Sequence, residues 1–500
     1  MKRKNCLHLL AFDLGAESVR VIIGHFDGRQ LKVEEIHRIP NSPIRVGNNL
    51  YSDVLHIWSE LQNGLQKAGA QYGMALTSVG VDTWGVDCAL LDVNDRLITN
   101  PYHYRDRRTD GMIEVAFSRV PCEEIYSYTG NLFVQYNTLY QLLAFVQQEK
   151  PLLDAAHSLL MLPDLFHFWL SGEKVSEFSI ATTSQCYDPV HHDWAWDLLK
   201  RLDIPLHLFQ RVVPSGTVIG KLHGWLAKQS DCGEIPVVAP VCHDTGSAVA
   251  SIPVRTPHYM YISSGTWSLV GVELEKPMIT AEALANNLTN EGGIGNQTRF
   301  LKIVPGMWLL QQCRSEWARR GRLYTYDELT AMAVEAPAFG PLVWVAAPDF
   351  LDPGDMPARI QAYCQKTGQR IPQTEGEIVR CVLESLACQY RGLLLVLENL
   401  LGKHLEVIHI IGGGSRNRLL NQMTADATNR LVIAGPVEAT ATGNLLVQAM
   451  GLGHLSSLED LRQVVRDSFE LEFFTPENSS PWEECCQRYS ELKGTGKQNG

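Results

Sequence analysis

Read for its alternation of apolar and polar positions, the chain opens as a sheet. LHLLAFDLG (7–15) is apolar up to an Asp-x-Gly turn and VRVIIGHF (19–26) is a second run. Asp27-Gly28 then marks a tight turn into LKVEEIHRI (31–39). The pattern predicts a β-meander. SDVLHIWSELQNGLQKAG (52–69) changes to a helical period, with Val54, Ile57, Trp58, Leu61 and Leu65 on one face. A strand run, LTSVGVDTWGVDCALLD (76–92), follows, so the order is that of an α/β domain and not of a helical bundle.

A second strand-rich opening appears at PHYMYISSGTWSLVGVEL (257–274), interrupted by SSGT. LEVIHIIGGGSRNRLLNQMTADA (405–427) reads as a buried strand, a glycine run and an amphipathic helix. These features predict a second α/β domain, with a boundary near residues 250–256. Each half carries a strand–turn–strand with small residues in the turn, DLGAES in one and SSGTWS in the other. The closing KGTGKQNG reads as a disordered tail.

Five hundred residues exceed what one hydrophobic core serves, which agrees with two domains. The formal net charge of −12 argues against a nucleic-acid partner held by phosphate neutralisation, while leaving room for a phosphorylated ligand in a local electropositive pocket. The basic, then apolar, N-terminus is broken at Asp13 without a cleavage site, and no apolar run is long enough to span a bilayer. The chain is read as cytoplasmic with no membrane partner. Its twelve cysteines form no C-x-x-C pair, so ligand spacing gives no support to a structural zinc. His191–His192, in a polar loop, reads as a solvated turn.

Four places invite chemistry. In DLGAESVR (13–20), small turn residues let backbone N–H groups approach phosphate oxygens, and Asp13 at the strand end suits a metal-bound water; a plain hairpin turn is the alternative. Ile410-Ile411-Gly412-Gly413-Gly414 allows close backbone approach to a ligand, but it has neither the dinucleotide nor the P-loop spacing, and packing is its alternative. VCHDTGSAVA (241–250) places His243, Asp244 and Thr245 at the end of an apolar run. A carboxylate there is a helix cap or a group facing a cleft. Thr83-Trp84-Gly85-Val86-Asp87 breaks a strand with polar and planar groups that suit a sugar, a bulge being the alternative.

DLGAESVR, VDTWGVD, YRDRRTDG, YNTLYQL, HDTGSAV, YISSGTWSL, NLTNEGG, HIIGGGSRNRLLNQMTADA and VIAGPVEATATGN occur in that order. From about residue 7 to about residue 450 the chain thereby resembles the FGGY carbohydrate kinases. The resemblance implies an α/β fold of two actin-like (ribonuclease H-like) domains with an interdomain cleft. The N-terminal domain (1–250) would bind sugar and carry the base. The C-terminal domain (251–460) would bind ATP, and residues 461–500 would form an extension and tail.

Activity and site residues follow from the same likeness. It implies ATP- and Mg²⁺-dependent phosphorylation of a ketose such as L-rhamnulose, with L-fuculose as an alternative acceptor. Asp244 matches the general base, and Gly85, His243 and Thr245 match sugar contacts. Ala16, Glu17, Ser18, Val19 and Arg20 match a first phosphate loop, with Asp13 organising Mg²⁺ through water. Thr266, Gln311 and Gly413 match the remaining ATP contacts. Three positions depart from the family pattern: Val19 in place of a glycine, the acidic Glu17 in the same loop, and Ile303 in LKIVPGMW where relatives place a sugar-contacting Asn. Val19 and Glu17 raise the alternative of a non-catalytic sugar or nucleotide sensor.

Overall fold

The computed structural model describes residues 6–495. The chain forms two compact units. One takes the chain up to Pro253 together with Glu273–Leu301 and Ala439–Phe469. The other takes Val254–Val272, Lys302–Glu438 and the chain from Glu470 onward.

The first unit is built on a six-stranded mixed sheet. Its strands run in the order Thr217–Lys221, Pro236–Ala239, Leu76–Thr83, Leu7–Leu14, Ser18–Phe26 and Leu31–Pro40. The last three are the expected meander, antiparallel throughout, while Leu76–Thr83 lies parallel to Leu7–Leu14. Leu7–Leu14 is buried on both faces, which explains its nearly continuous apolar run. Leu10, Phe12 and Leu14 pack with Ile57, Leu61 and Leu65 of the helix Val54–Tyr72. Leu9 and Ala11 pack on the other face with Leu445 and Leu446 of the helix Ala439–Gly451. Period-two alternation therefore turns Asp13 to the Ala439–Gly451 face.

The run 76–92 is two strands and not one. Leu76–Thr83 stays in the main sheet, whereas Cys88–Leu91 pairs with Ser158–Met161. The break at Trp84–Asp87 is held by residues from distant segments, described below.

The second unit carries the strands Trp267–Leu274, Tyr259–Ser264, Val407–Ile411, Leu431–Ala434 and Glu472–Phe474 in that spatial order. Its long helix Glu375–Leu401 starts at a capping box, Thr374 with Glu377. The segment read from sequence as an extension is folded: Glu472–Phe474 pairs antiparallel with Leu431–Ala434, and the helix Ser480–Thr495 follows. The first three residues of the expected tail, Lys493 to Thr495, end that helix; the rest, 496–500, lie outside the described residues. Among the described residues no helix is long and apolar enough to cross a membrane.

One close approach sets the spacing of the first unit's helices. A Cβ on Gly443 would sit 1.8 Å from the carbonyl oxygen of Ser247, so the helices Ala439–Gly451 and Asp244–Ala250 touch backbone to backbone there. Because the obstacle is main chain, a methyl group forces the helices apart. Gly443→Ala is expected to destabilise the first unit by about 1–3 kcal/mol, measured as a lowered denaturant midpoint of its unfolding transition.

Candidate active site

At the tip of the first hairpin, Gly15 N–H donates to the Ser18 carbonyl at 2.9 Å, and Asn41 clamps the turn from outside. Its N–H reaches the Glu17 carbonyl and its Nδ2 the Gly15 carbonyl, both at 2.9 Å. Ala16 and Ser18 are half-buried and the Glu17 side chain is exposed. Val19 is a strand residue opposite Leu14, its side chain sealed in the apolar core, so its branch occupies the interior and not the turn's outer surface. The core location gives Val19 a packing role that a glycine could not fill.

Asp13, opposite Arg20 across the hairpin and beside Asp82 on the parallel strand, forms an ion pair with the Arg20 guanidinium. Asp82 is fully buried. Burial first, and then the neighbouring charge of Asp13, push its carboxyl well above the usual carboxylate range. Asn444 Nδ2 donates to Asp82 Oδ2 at 2.5 Å, while Asp82 Oδ1 has no hydrogen-bond partner among the described residues. Behind Asn444, its Oδ1 accepts from Gln448 Nε2 at 2.7 Å, and Gln448 Oε1 accepts from Ser78 Oγ at 2.6 Å. One turn apart on the helix, Asn444 and Gln448 read the polar row that Ser78 and Asp82 present.

The segment leading to Asp244 lies alongside the same strand end. Thr83 N–H donates to the Cys242 carbonyl at 2.9 Å and Thr83 bridges to His243. Asp244 is the first residue of the helix Asp244–Ala250, whose cap position is His243, so Asp244 does not cap that helix. Its carboxylate accepts from the N–H and hydroxyl of Thr245, and its side chain is 28% exposed. Thr245 is buried with that hydroxyl turned to Asp244.

His243 is fixed on three sides. Its N–H donates to Ser179 Oγ at 3.1 Å, Arg299 Nη2 donates to its Nδ1 at 3.0 Å, and its Nε2 lies 3.4 Å from Asp244 Oδ1. Nδ1 also lies 3.2 Å from Glu291 Oε2, so the ring is held between the Glu291–Arg299 pair on one side and Asp244 on the other. Arg299 is wholly buried and pairs with Glu291 at 3.1 Å, its Nε donating to the Gly292 carbonyl at 2.8 Å. Burial alone would raise Glu291, but Arg299 and then His243 outweigh it and hold this carboxyl below its ordinary value. The sequence offered NLTNEGG as a motif but gave no reason to choose Glu291 or Arg299, because their partner lies some fifty residues away in the chain.

Gly85 belongs to the loop that interrupts the strand. Beside it Val86 has φ +70°, a left-handed conformation that costs a β-branched residue on the order of 1–3 kcal/mol. Distant side chains hold it there. Thr183 Oγ1 accepts from Val86 N–H at 3.2 Å, and the Val86 carbonyl accepts from Thr138 Oγ1 at 2.6 Å and Gln141 Nε2 at 3.1 Å. Trp84 Nε1 donates to Asp87 Oδ2 at 2.9 Å, and burial pushes Asp87 up to about 7.

In the second unit the hairpin turn at Gly265–Thr266 meets the start of the helix Trp308–Arg319: the Thr266 carbonyl accepts from the N–H groups of Gly306 and Trp308, both at 3.1 Å. One turn along that helix, Gln311 Oε1 is buried with no hydrogen-bond partner among the described residues. The glycine run abuts the same hairpin. Gly412 has φ +82°, and a Cβ on Gly414 would fall 2.0 Å from Ser264 Oγ. A Cβ on Gly413 would meet nothing within 4 Å, so its backbone is open. Thr266 and the glycine run are thereby neighbours. Ile303 is half-buried in the strand Thr298–Pro305.

Comparison with known proteins identifies the family. Residues 8–250 match the N-terminal domain of the FGGY family of carbohydrate kinases, and residues 260–452 match its C-terminal domain. The chain belongs to the FGGY family of carbohydrate kinases: it is a two-domain, actin-like sugar kinase that uses ATP. Among curated relatives it is 41% identical to the rhamnulokinase of Bacteroides thetaiotaomicron over 476 residues, covering 95% of this chain and 97% of that protein. It is 40% identical to the rhamnulokinase of Halalkalibacterium halodurans over 463 residues, covering 92% and 97%. Among solved structures, the xylulose kinase from Rhodospirillum rubrum superposes with TM-score 0.80 at 19% identity, covering 98% of each chain. Plasmodium falciparum glycerol kinase with ADP gives 0.80 at 14% identity, covering 99% of each. These two likenesses concern the fold.

Two measurements probe the supports of the site. Arg299→Met leaves Glu291 buried without its cation and is expected to cost about 3–5 kcal/mol in chemical denaturation. Asp87 binds its proton more tightly folded than unfolded. Its contribution to stability is therefore full below pH 4 and fades as pH rises toward 7. Asp87→Asn is expected to remove that part of the decline between pH 4 and 7, read as the difference between the two proteins' thermal midpoints across the range.

Proposed function

We propose that this chain transfers the γ-phosphoryl group of ATP to L-rhamnulose in the cytoplasm, giving L-rhamnulose 1-phosphate and ADP. Asp244 acts as the general base. The observation that carries the reading is the Asp244 carboxylate, partly exposed at a strand end and oriented by Thr245 and His243. In the reaction the substrate hydroxyl gives its proton to the carboxylate, its oxygen bonds to the γ-phosphorus, and the bond from that phosphorus to the bridging oxygen of ADP breaks. His243, with Nε2 facing Asp244, holds the carboxylate in place, and Gly85 lies in the interrupted strand where the sugar is proposed to bind.

In the first unit the turn Ala16–Arg20 is proposed to bind phosphate, and in the second unit Thr266, Gln311 and Gly413 are proposed to bind ATP. Small residues and an open Gly413 admit close backbone approach. The residues present also fit Mg²⁺. Asp13 and Asp82 offer hard oxygen donors side by side, and their mutual repulsion, with Asp82 Oδ1 unpartnered, is what a divalent cation relieves. Bound there, Mg²⁺ would neutralise phosphate charge, Asp13 acting through water. The core position of Val19 keeps its branch off the outer surface of the turn, which favours a working phosphate loop over a sensor.

The acceptor is supported by the two rhamnulokinases at about 40% identity over nearly the whole chain. A coupled ADP-release assay with Mg²⁺-ATP against L-rhamnulose, L-fuculose, L-ribulose, D-xylulose and glycerol should give the highest kcat/KM with L-rhamnulose. Preference for another ketose would move the acceptor, with Ile303 the first residue to examine. Asp244→Asn should lower kcat by roughly 10²–10⁴-fold with ATP affinity nearly unchanged. An unaltered rate would overturn the role given to Asp244.

A further inference from the structure

The far end of the first hairpin carries a separate set of donor atoms. In the antiparallel register, Asp13 opposes Arg20 near one end and His8 opposes His25 near the other. At about 3.3 Å per residue the His8 position lies roughly 16 Å along the strand from Asp13. There the two imidazoles approach through like atoms, Nδ1 of His8 lying 3.0 Å from Nδ1 of His25. The donor atoms of Cys6, His8 and His25 all lie within 4.8 Å of one another.

The surroundings fix which form the His25 ring takes. Nε2 of His25 faces the Glu34 carboxylate at 3.3 Å, and the same carboxylate accepts from Tyr72 Oη at 3.0 Å. A carboxylate only accepts, so Nε2 of His25 carries the proton and Nδ1 presents a lone pair toward His8. The His8 ring stacks on Tyr72 with centroids 4.9 Å apart.

We propose that Cys6, His8 and His25 form a site for a divalent transition metal, zinc in the first instance. A thiol with two imidazoles is the donor set zinc takes, and a tetrahedral zinc with Zn–N near 2.05 Å places two nitrogens about 3.3 Å apart, close to the spacing found here. Glu34 supplies the carboxylate behind a ligating histidine that orients such rings. The remaining position opens to a cavity of about 690 Å³, lined by Cys6, His8, Met74 and Glu234 among others. Among the described residues one other group of donors, Asp164, His167 and Cys242, is closed. His167 Nε2 accepts from Val81 N–H at 3.0 Å and Asp164 from Glu177 N–H at 3.1 Å, so these side chains serve the backbone.

The test uses the full chain, freed of any affinity tag and treated with chelator, titrated with Co²⁺ alone and then with Zn²⁺. One equivalent of Co²⁺ should bind with a thiolate-to-cobalt charge-transfer band, and Zn²⁺ should displace it. Cys6→Ser should abolish the band; Cys6 is exposed, so this change leaves the fold intact. His25→Asn should weaken Co²⁺ binding at least tenfold, and Glu34→Gln should weaken it by about tenfold through the ring it orients. No saturable Co²⁺ binding, or binding that persists unchanged when Cys6→Ser and His25→Asn are combined, would overturn the proposal.

Discussion

Two carboxylates in register on adjacent strands impose the main constraint on the first unit. Asp13 and Asp82 lie in a place where burial and like charge both oppose ionisation. The surroundings are arranged to tolerate them. Arg20 answers Asp13 across the hairpin, and Asn444 answers one oxygen of Asp82. Gln448 holds Asn444 while tying itself to Ser78 and the Leu10 carbonyl. The helix that carries Asn444 and Gln448 comes close enough to do so because Gly443 has no side chain. Packing and electrostatics are therefore one problem here, solved by the same helix.

Buried polar groups also hold the reacting residues. The Glu291–Arg299 pair buries a carboxylate and a guanidinium only to set the orientation of His243, a cost offset by the hydrogen bonds each ion makes. The Val86 turn is likewise strained locally and held by Thr183, Thr138 and Gln141. In both places stability is given up near the site and recovered by partners far along the chain, the pattern expected where geometry matters more than local comfort.

What was legible in the sequence follows from range. The meander, the helix Val54–Tyr72 and the strand–glycine–helix at 405–427 were readable because their periodicity and turn residues are local. The run 76–92 shows its interruption at Thr83–Asp87, but nothing within it reveals that Thr138, Gln141 and Thr183 will hold Val86 and split the run into two strands. Asp244 stood out as a carboxylate ending an apolar run, yet local rules made it a cap, and only the chain's path places His243 in that position. Glu291 and Asn444 fall inside family-like motifs and Arg299 in none, yet nothing local singles any of them out, because their partners lie far along the chain. Val19 shows the reverse case: judged against a motif it is an intrusion, judged against the core it is an ordinary buried strand residue.

The assembly of the first unit from three separated stretches bears on how the protein is made. The face of the sheet that carries Leu9 and Ala11 is covered by Leu445 and Leu446, which the ribosome adds more than four hundred residues later. At about 5–20 residues per second, that apolar face waits on the order of twenty seconds or more for its cover. During synthesis the nascent chain thus presents a nearly finished sheet with one bare side. Chaperone occupancy in the cell should follow the emergence of residues 439–469, and not the completion of residue 253.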